Sequence, residues 1–271
     1  MEHESFPRGD PHATGGFAIG RTLALSWRGW LACRWQVLGI VLPLSIADLL
    51  IARATSPVLE ERVSYGWKFA IEMWLDTTVE IVAFVALTFA TGCYLRGRSM
   101  GIRSLLHFPW RRLPAALAAS LVLQTVTYWP VFASDWGRGD SSHVYIDYLV
   151  VAINVLTIDT FTFVYLPILL TENRSLTGTL IRGFELVRPR AWRILALDLF
   201  GWVVLLTLSH SMWMVYGFVG ESRGMMAWGA IWVAWTALMI SFGCCIPAAA
   251  YHLLRTEREG LEPGVVAQVF D

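Results

Sequence analysis

The sequence predicts an all-α fold, a polytopic membrane bundle of six transmembrane helices with interfacial amphipathic helices on its cytoplasmic side. Three observations predict it. Hydrophobic residues make up 56% of the chain and charged residues only 15%, outside the usual range of soluble domains. Twenty of the twenty-one cationic side chains are arginine, and they fall in bursts between long apolar runs. Tryptophans gather where those runs end.

Residues 1–15 are polar and acidic, with no basic stretch leading into an apolar one. They read as a disordered tail rather than a signal peptide, and residues 261–271 read as a second tail. Between them, 16–260 form one membrane domain. Its spans fall at 35–52, 69–95, 113–133, 144–170, 194–216 and 227–251. Each is about the ~20 residues that a helix rising ~1.5 Å per residue needs to cross ~30 Å of hydrocarbon. Between spans, Lys and Arg number 16 on one side of the membrane and 5 on the other. The positive-inside rule therefore places both termini in the cytoplasm. The arginine preference points to a GC-rich bacterial genome, so the expected location is a bacterial inner membrane.

An indole has an apolar body and a polar N–H and settles at headgroup level. Trp27, Trp30, Trp35, Trp110 and Trp192 mark the inner boundary; Trp67, Trp129, Trp136, Trp213 and Trp228 mark the outer one. On the inner side three segments precede spans as amphipathic helices. In the first, Leu23, Trp27, Trp30 and Leu31 form an apolar stripe, with Arg21 and Arg28 elsewhere on the wheel. In the third, Leu176, Leu180, Phe184 and Val187 form the stripe. Ser175 is its expected N-cap, Pro189 its stop, and Arg182, Arg188, Arg190 and Arg193 its cationic face. The middle copy, Met100 to Arg112, carries Arg103 and ends at Phe108-Pro109. Such helices lie in the interface with arginines toward anionic phospholipids. Arg21, Arg28, Arg103, Arg182, Arg188 and Arg190 are thus the candidate headgroup contacts.

Chemistry has one conspicuous place to reside. Glu72, Asp76 and Glu80 follow i, i+4, i+8 spacing in the second span and share one helical face. Glu80 lies ~16 Å below Phe69, near mid-membrane. Asp48, Asp147, Asp159 and Asp198 also lie in or at the ends of apolar runs, and His210 is the other ionisable candidate. Asp159 has Thr157, Thr160 and Thr162 to satisfy it locally, whereas Asp48 and Asp198 read as span-end residues. A charge at the bilayer centre costs at least ~2.5 kcal/mol, so such acids are protonated, cation-bound or facing water. Glu72, Asp76, Glu80, Asp159 and His210 are the candidate ion, proton or polar-cavity residues. The plain alternative keeps Glu72 and Asp76 in the outer headgroup zone and buries only Glu80.

The four cysteines, Cys33, Cys93, Cys244 and Cys245, match no zinc spacing and read as small buried hydrophobes. No metal or other cofactor is expected. The chain holds no HExxH motif and no phosphate-cradling P-loop. Basic residues are confined to the membrane face, so nucleic acid is not an expected partner. The expected function is a non-enzymatic membrane protein organising lipids or partner membrane proteins. The alternative is a proton- or cation-coupled transporter or channel built on the carboxylate stripe.

Two stretches carry a resemblance. LIRGFELVRPRAWRILAL, from Leu180 to Leu197, and IPAAAYHLLR, from Ile246 to Arg255, followed by Arg258-Glu259-Gly260, resemble the membrane domain of the glycerophosphoryl diester phosphodiesterase membrane-domain superfamily. The resemblance implies six spans opened by an amphipathic helix. It implies no catalytic residues, because the soluble phosphodiesterase barrel of some members has no counterpart here.

Overall fold

A computed structural model describes residues 17–62, 65–97, 110–134, 144–172 and 174–259. Both expected tails, Arg103, Trp136 and the middle amphipathic segment as far as Pro109 lie outside the described residues. Of Asp147, Trp67, Trp213 and Trp228 only the backbone is described.

Among the described residues all regular structure is helical. In chain order come α1 (Ile19–Ala32), the short α2 (Arg34–Gln36), a π-helical stretch (Val37–Val41) and α3 (Leu42–Arg62). α4 (Tyr65–Leu95), a 3₁₀ turn (Trp110–Arg112), α5 (Leu113–Ser134), α6 (Val144–Thr162) and α7 (Tyr165–Thr171) follow. α8 (Leu176–Val187), a 3₁₀ turn (Arg188–Arg190) and α9 (Ala191–Glu259) complete the chain.

Proline explains where the apolar runs break. Pro43 has no N–H and its ring crowds the carbonyl four residues back, so the helix loosens to π geometry over Val37–Val41 before α3. Pro167 does the same to the run 144–170, which stops at Thr162 and resumes at Tyr165. At Pro189, α8 passes into α9 through a single 3₁₀ turn.

The backbone is helical over the 69 residues of α9, yet Ile194 and Leu197 near its start share a core with Ala250, Tyr251, Leu253 and Leu254 near its end. A straight helix of that length would hold its ends ~100 Å apart. The chain therefore reverses direction between its two apolar stretches, Leu176–Met212 and Gly229–Glu259.

α4 is the central helix. Its Ala83, Val85, Ala86, Leu87 and Ala90 are all buried. One side packs on Leu166, Leu169 and Leu170 of α7, and the other on Val41, Ala237 and Cys244. The small residues along these contacts let helix backbones approach closely, as membrane bundles require. Gly29 of α1 is the sharpest instance: a Cβ there would stand 2.9 Å from Cγ2 of Thr91 on α4.

Four segments are long and apolar enough to cross a membrane: Ala70–Leu95, Ala152–Thr171, Leu176–Met212 and Gly229–Glu259. The outer surface is apolar as well, with Leu50, Val122, Ile153, Val203 and Leu206 more than half exposed. Water would penalise such a surface and lipid would not. The chain is a multi-pass membrane protein on this evidence. The other two expected spans, 35–52 and 113–133, are helical through α3 and α5.

The amphipathic helices pack inward through small residues and keep much of their apolar stripes outward. α1 buries Thr22, Ser26 and Gly29, a line of small residues, while Trp27 and Leu31 face outward. Trp30 stays stacked on Trp27, ring centroids 5.2 Å apart, while its Nε1 donates to Oγ of Ser241 at 2.9 Å. In α8, Thr179, Gly183, Leu186 and Val187 are buried while Leu176, Leu180 and Phe184 face out. Ser175 caps α8 as its sequence position predicts, accepting the Gly178 amide at 3.2 Å.

Candidate functional site

Helical periodicity sets Glu72, Asp76 and Glu80 one turn apart along α4, and the packing of α3 against α4 brings a fourth acid to them. Asp48 lies within hydrogen-bonding reach of Asp76, and Glu80 feels the charge of both. A cavity of ≈ 10 Å³, about the size of one water, lies beside them, lined by Val41, Ser45, Asp48, Val79, Glu80 and Ile240. Ser45 is buried, and its Oγ has no hydrogen-bond partner among the described residues. Nor does any arginine or lysine among them pair with Asp48, Asp76 or Glu80.

The expected stripe therefore divides. Glu72 is partly exposed and pairs with Lys68 at 4.0 Å, whereas Asp76 and Glu80 belong with Asp48. Asp48, read from sequence as a span-end residue, is a member of the cluster. Its signal in the sequence was Ser45 one turn earlier on the same helix face, but only the packing of α3 on α4 joins the two acids.

A second group forms between α6 and α9. Asp159 acts electrostatically on Asp198, Tyr128 and Tyr165, and Tyr165 shares a hydrogen bond with Ser120. Oδ2 of Asp198 is buried without a partner among the described residues. Two of the threonines expected to satisfy Asp159 turn to the backbone instead. Thr160 donates to the Leu156 carbonyl, and Thr162 to the Ile158 carbonyl at 2.8 Å. His210 is exposed and does not act on the acids of either group.

The arginine-rich end is arranged on the opposite principle. Arg182, expected at a headgroup, meets Glu172 at 3.6 Å, Glu185 at 3.9 Å and the Glu259 carboxylate. Arg190, also expected there, pairs with Glu257. The Phe17 amide donates to the same Glu257 at 2.9 Å, and Arg193 donates to the Phe17 carbonyl. That amide, with Arg190 beside it, holds the Glu257 carboxyl below its ordinary range. Arg112 closes the loop after α7 by donating to the carbonyls of Leu169 and Glu172. Two of the expected headgroup arginines thus join one element to another, because carboxylates on neighbouring helices reach them first. Arg21, Arg28 and Arg188 stay exposed.

The four cysteines are buried, and the Thr91 hydroxyl reaches Sγ of Cys245 at 3.3 Å. Among the described residues no three His, Cys, Asp or Glu side chains are grouped closely enough to hold a metal ion. The chain also contains a Gly-x-Ser-x-Gly string, Gly220 to Gly224 around Ser222. A nucleophile elbow needs a sharp strand-to-helix turn. This string lies within the helical backbone of α9, and the described residues contain no strand.

No protein-family model, no curated protein and no solved structure matches the chain.

Proposed function

We propose that the chain is a proton-coupled membrane carrier in which Asp48, Asp76 and Glu80 take up and release the coupling proton. One observation carries the reading: carboxyl groups from two helices meet beside a water-sized cavity and an unpartnered Ser45 hydroxyl. A protein that needs only to span the bilayer has no reason to place three acids together, at a cost of at least ~2.5 kcal/mol for each central charge. Sharing a proton reduces that cost, and intramembrane acids so placed mark proton relays. The spacing of these acids does not suit a metal ion, which favours the proton over a divalent cation.

The accompanying reading is six spans in a bacterial inner membrane with both termini cytoplasmic. It rests on the arginine asymmetry and on the helices at 35–52 and 113–133. Membership of the superfamily named above belongs to the same proposal. The test is proton flux into vesicles carrying the purified protein, followed by an internal pH dye. Wild type should dissipate an imposed pH gradient and Asp76→Asn should not; equal flux in both would overturn the reading.

A second reading, organisation of lipids or partner membrane proteins, is favoured by the outward stripes. Trp27, Leu31, Leu180 and Phe184 face out beside the exposed Arg28 and Arg188. This is the side-chain mix that holds a helix in an anionic interface. Retention of anionic phospholipid through purification, reduced in a Trp27→Ser, Phe184→Ser double variant, would support it. Equal retention would remove it.

A further inference from the structure

A second cavity, of ≈ 30 Å³, lies at the arginine-rich end between α4, α7 and the last turns of α9. Its wall includes Gly92, Arg96, Thr171, Tyr251, His252 and Arg255, and no carboxylate. Arg96 and Arg255 line it from two helices, and Arg21 of α1 joins them in acting on the His252 ring. Two guanidinium groups therefore face one small space, with Arg21 outside its wall.

The wall is held in place before any ligand arrives. Nε of Arg96 donates to the Gly92 carbonyl at 2.8 Å, and Nε of Arg255 donates to Glu259 at 2.7 Å. Outer nitrogens are engaged as well, Nη2 of Arg96 with Cys93 Sγ at 3.9 Å and Nη1 of Arg255 with Tyr251 Oη at 3.4 Å, so both guanidinium planes are held in place. The Thr171 hydroxyl donates to the Pro167 carbonyl at 2.7 Å and reaches Tyr251 Oη at 3.1 Å, while that phenol donates to Glu172 at 2.9 Å. Glu172 and Glu259 are in turn engaged by Arg174 and Arg182. The nearby acids fix the wall, whose lining sets Arg96 and Arg255 among the apolar Phe89, Pro167, Leu170 and Ala248.

We propose that this cavity is a binding site for a single phosphoryl group. Guanidinium groups recognise phosphate through charge-assisted hydrogen bonds, and preorganised donors lose less on binding. Basic pockets between helices on the arginine-rich side of a bundle are where phospholipid headgroups dock. The same chemistry would take inorganic phosphate. The proposal does not depend on the acid cluster.

The full chain in neutral detergent is unfolded thermally with inorganic phosphate, with chloride at matched ionic strength, or with phosphatidylglycerol or phosphatidylcholine added to the micelles. Ligand binding to the folded state raises Tm by mass action. A saturable rise is expected with phosphate, with phosphatidylglycerol or with both, and none with chloride or phosphatidylcholine. A response to phosphatidylglycerol alone identifies a lipid headgroup, and a response to phosphate alone a soluble ligand. Arg96→Gln should weaken the half-saturating concentration about tenfold, as loss of one charge-assisted bond does. Arg53→Gln, an exposed residue of α3 outside the cavity wall, should leave it unchanged. Thr171→Val, which keeps every arginine, is the second variant and should also weaken the response. No rise with either phosphorus compound, or a rise that survives both Arg96→Gln and Thr171→Val, overturns the proposal.

Discussion

Acids occur in two settings in this molecule, and the settings differ in one respect. At the arginine-rich end, Glu172, Glu257 and Glu259 each meet at least one guanidinium from another part of the chain. Between α3 and α4, Asp48, Asp76 and Glu80 meet one another and Glu72, and no arginine or lysine among the described residues pairs with any of the three. A matched carboxylate ties elements together, and removing either partner strands the other. An unmatched carboxylate in an apolar bundle ties nothing and costs stability, so its presence calls for a use. The two groups should therefore respond to neutralisation with opposite signs.

The largest expected effect is at the matched end. Arg182→Ala removes one partner from Glu172 and one from Glu259, which keep Arg174 and Arg255. Breaking a buried pair costs ~3–5 kcal/mol, and this partly solvated one should cost about 2–3 kcal/mol. Chemical unfolding in mixed micelles would measure it; a loss below experimental error would show that these pairs are ornamental. Gly29→Ala asks whether close packing matters as much as charge. Its new Cβ would press on Thr91 at 2.9 Å, and overpacking of this kind typically costs ~1–3 kcal/mol. A companion Thr91→Ser should recover part of that loss, since it removes the crowded methyl group.

Ser175→Ala should cost about 1 kcal/mol through the lost N-cap of α8, and Ser175→Asp should not. Proteolysis between α7 and α8 would report the fraying. The smallest effect is a pH dependence. The Glu257 carboxyl is held below its unfolded value of 4.5. Its contribution is therefore complete above that value and is lost as pH falls through the folded one. Glu257→Gln should be less stable than wild type at neutral pH, and the gap should close on acidification below about pH 4. A gap that stayed constant would remove the Phe17–Glu257–Arg190 junction from the account.

Much of the helical framework was legible in the sequence, because apolar runs of membrane length and arginine bursts are coarse signals that packing does not overrule. The acid stripe on α4 was legible too, since i, i+4, i+8 spacing fixes a shared face whatever surrounds it. Asp48 was not, because its place depends on the register between two helices far apart along the chain. Trp30 and Trp27 lie three residues apart with the same chemistry, yet one turns in to Ser241 and the other faces out. Periodicity marks the stripe, but the side chosen by α1 follows from Gly29 and Ser26 fitting against α4 and α9. Arg182 and Arg190 misled for a related reason. Composition assigns arginines at a membrane face to lipid, and only the return of α9 brings Glu257 and Glu259 to meet them.

Thermal unfolding of Glu80→Gln beside Glu172→Gln tests the central contrast most directly. Both changes neutralise one carboxylate and conserve shape. The account predicts that Glu172→Gln lowers Tm, because Arg174 and Arg182 lose their partner. It predicts that Glu80→Gln raises Tm by a few degrees, at roughly 2–4 °C per kcal/mol for a chain of this size, because an unmatched acid leaves the bundle interior. A fall in both would contradict it and make the acids between α3 and α4 as structural as those at the arginine-rich end.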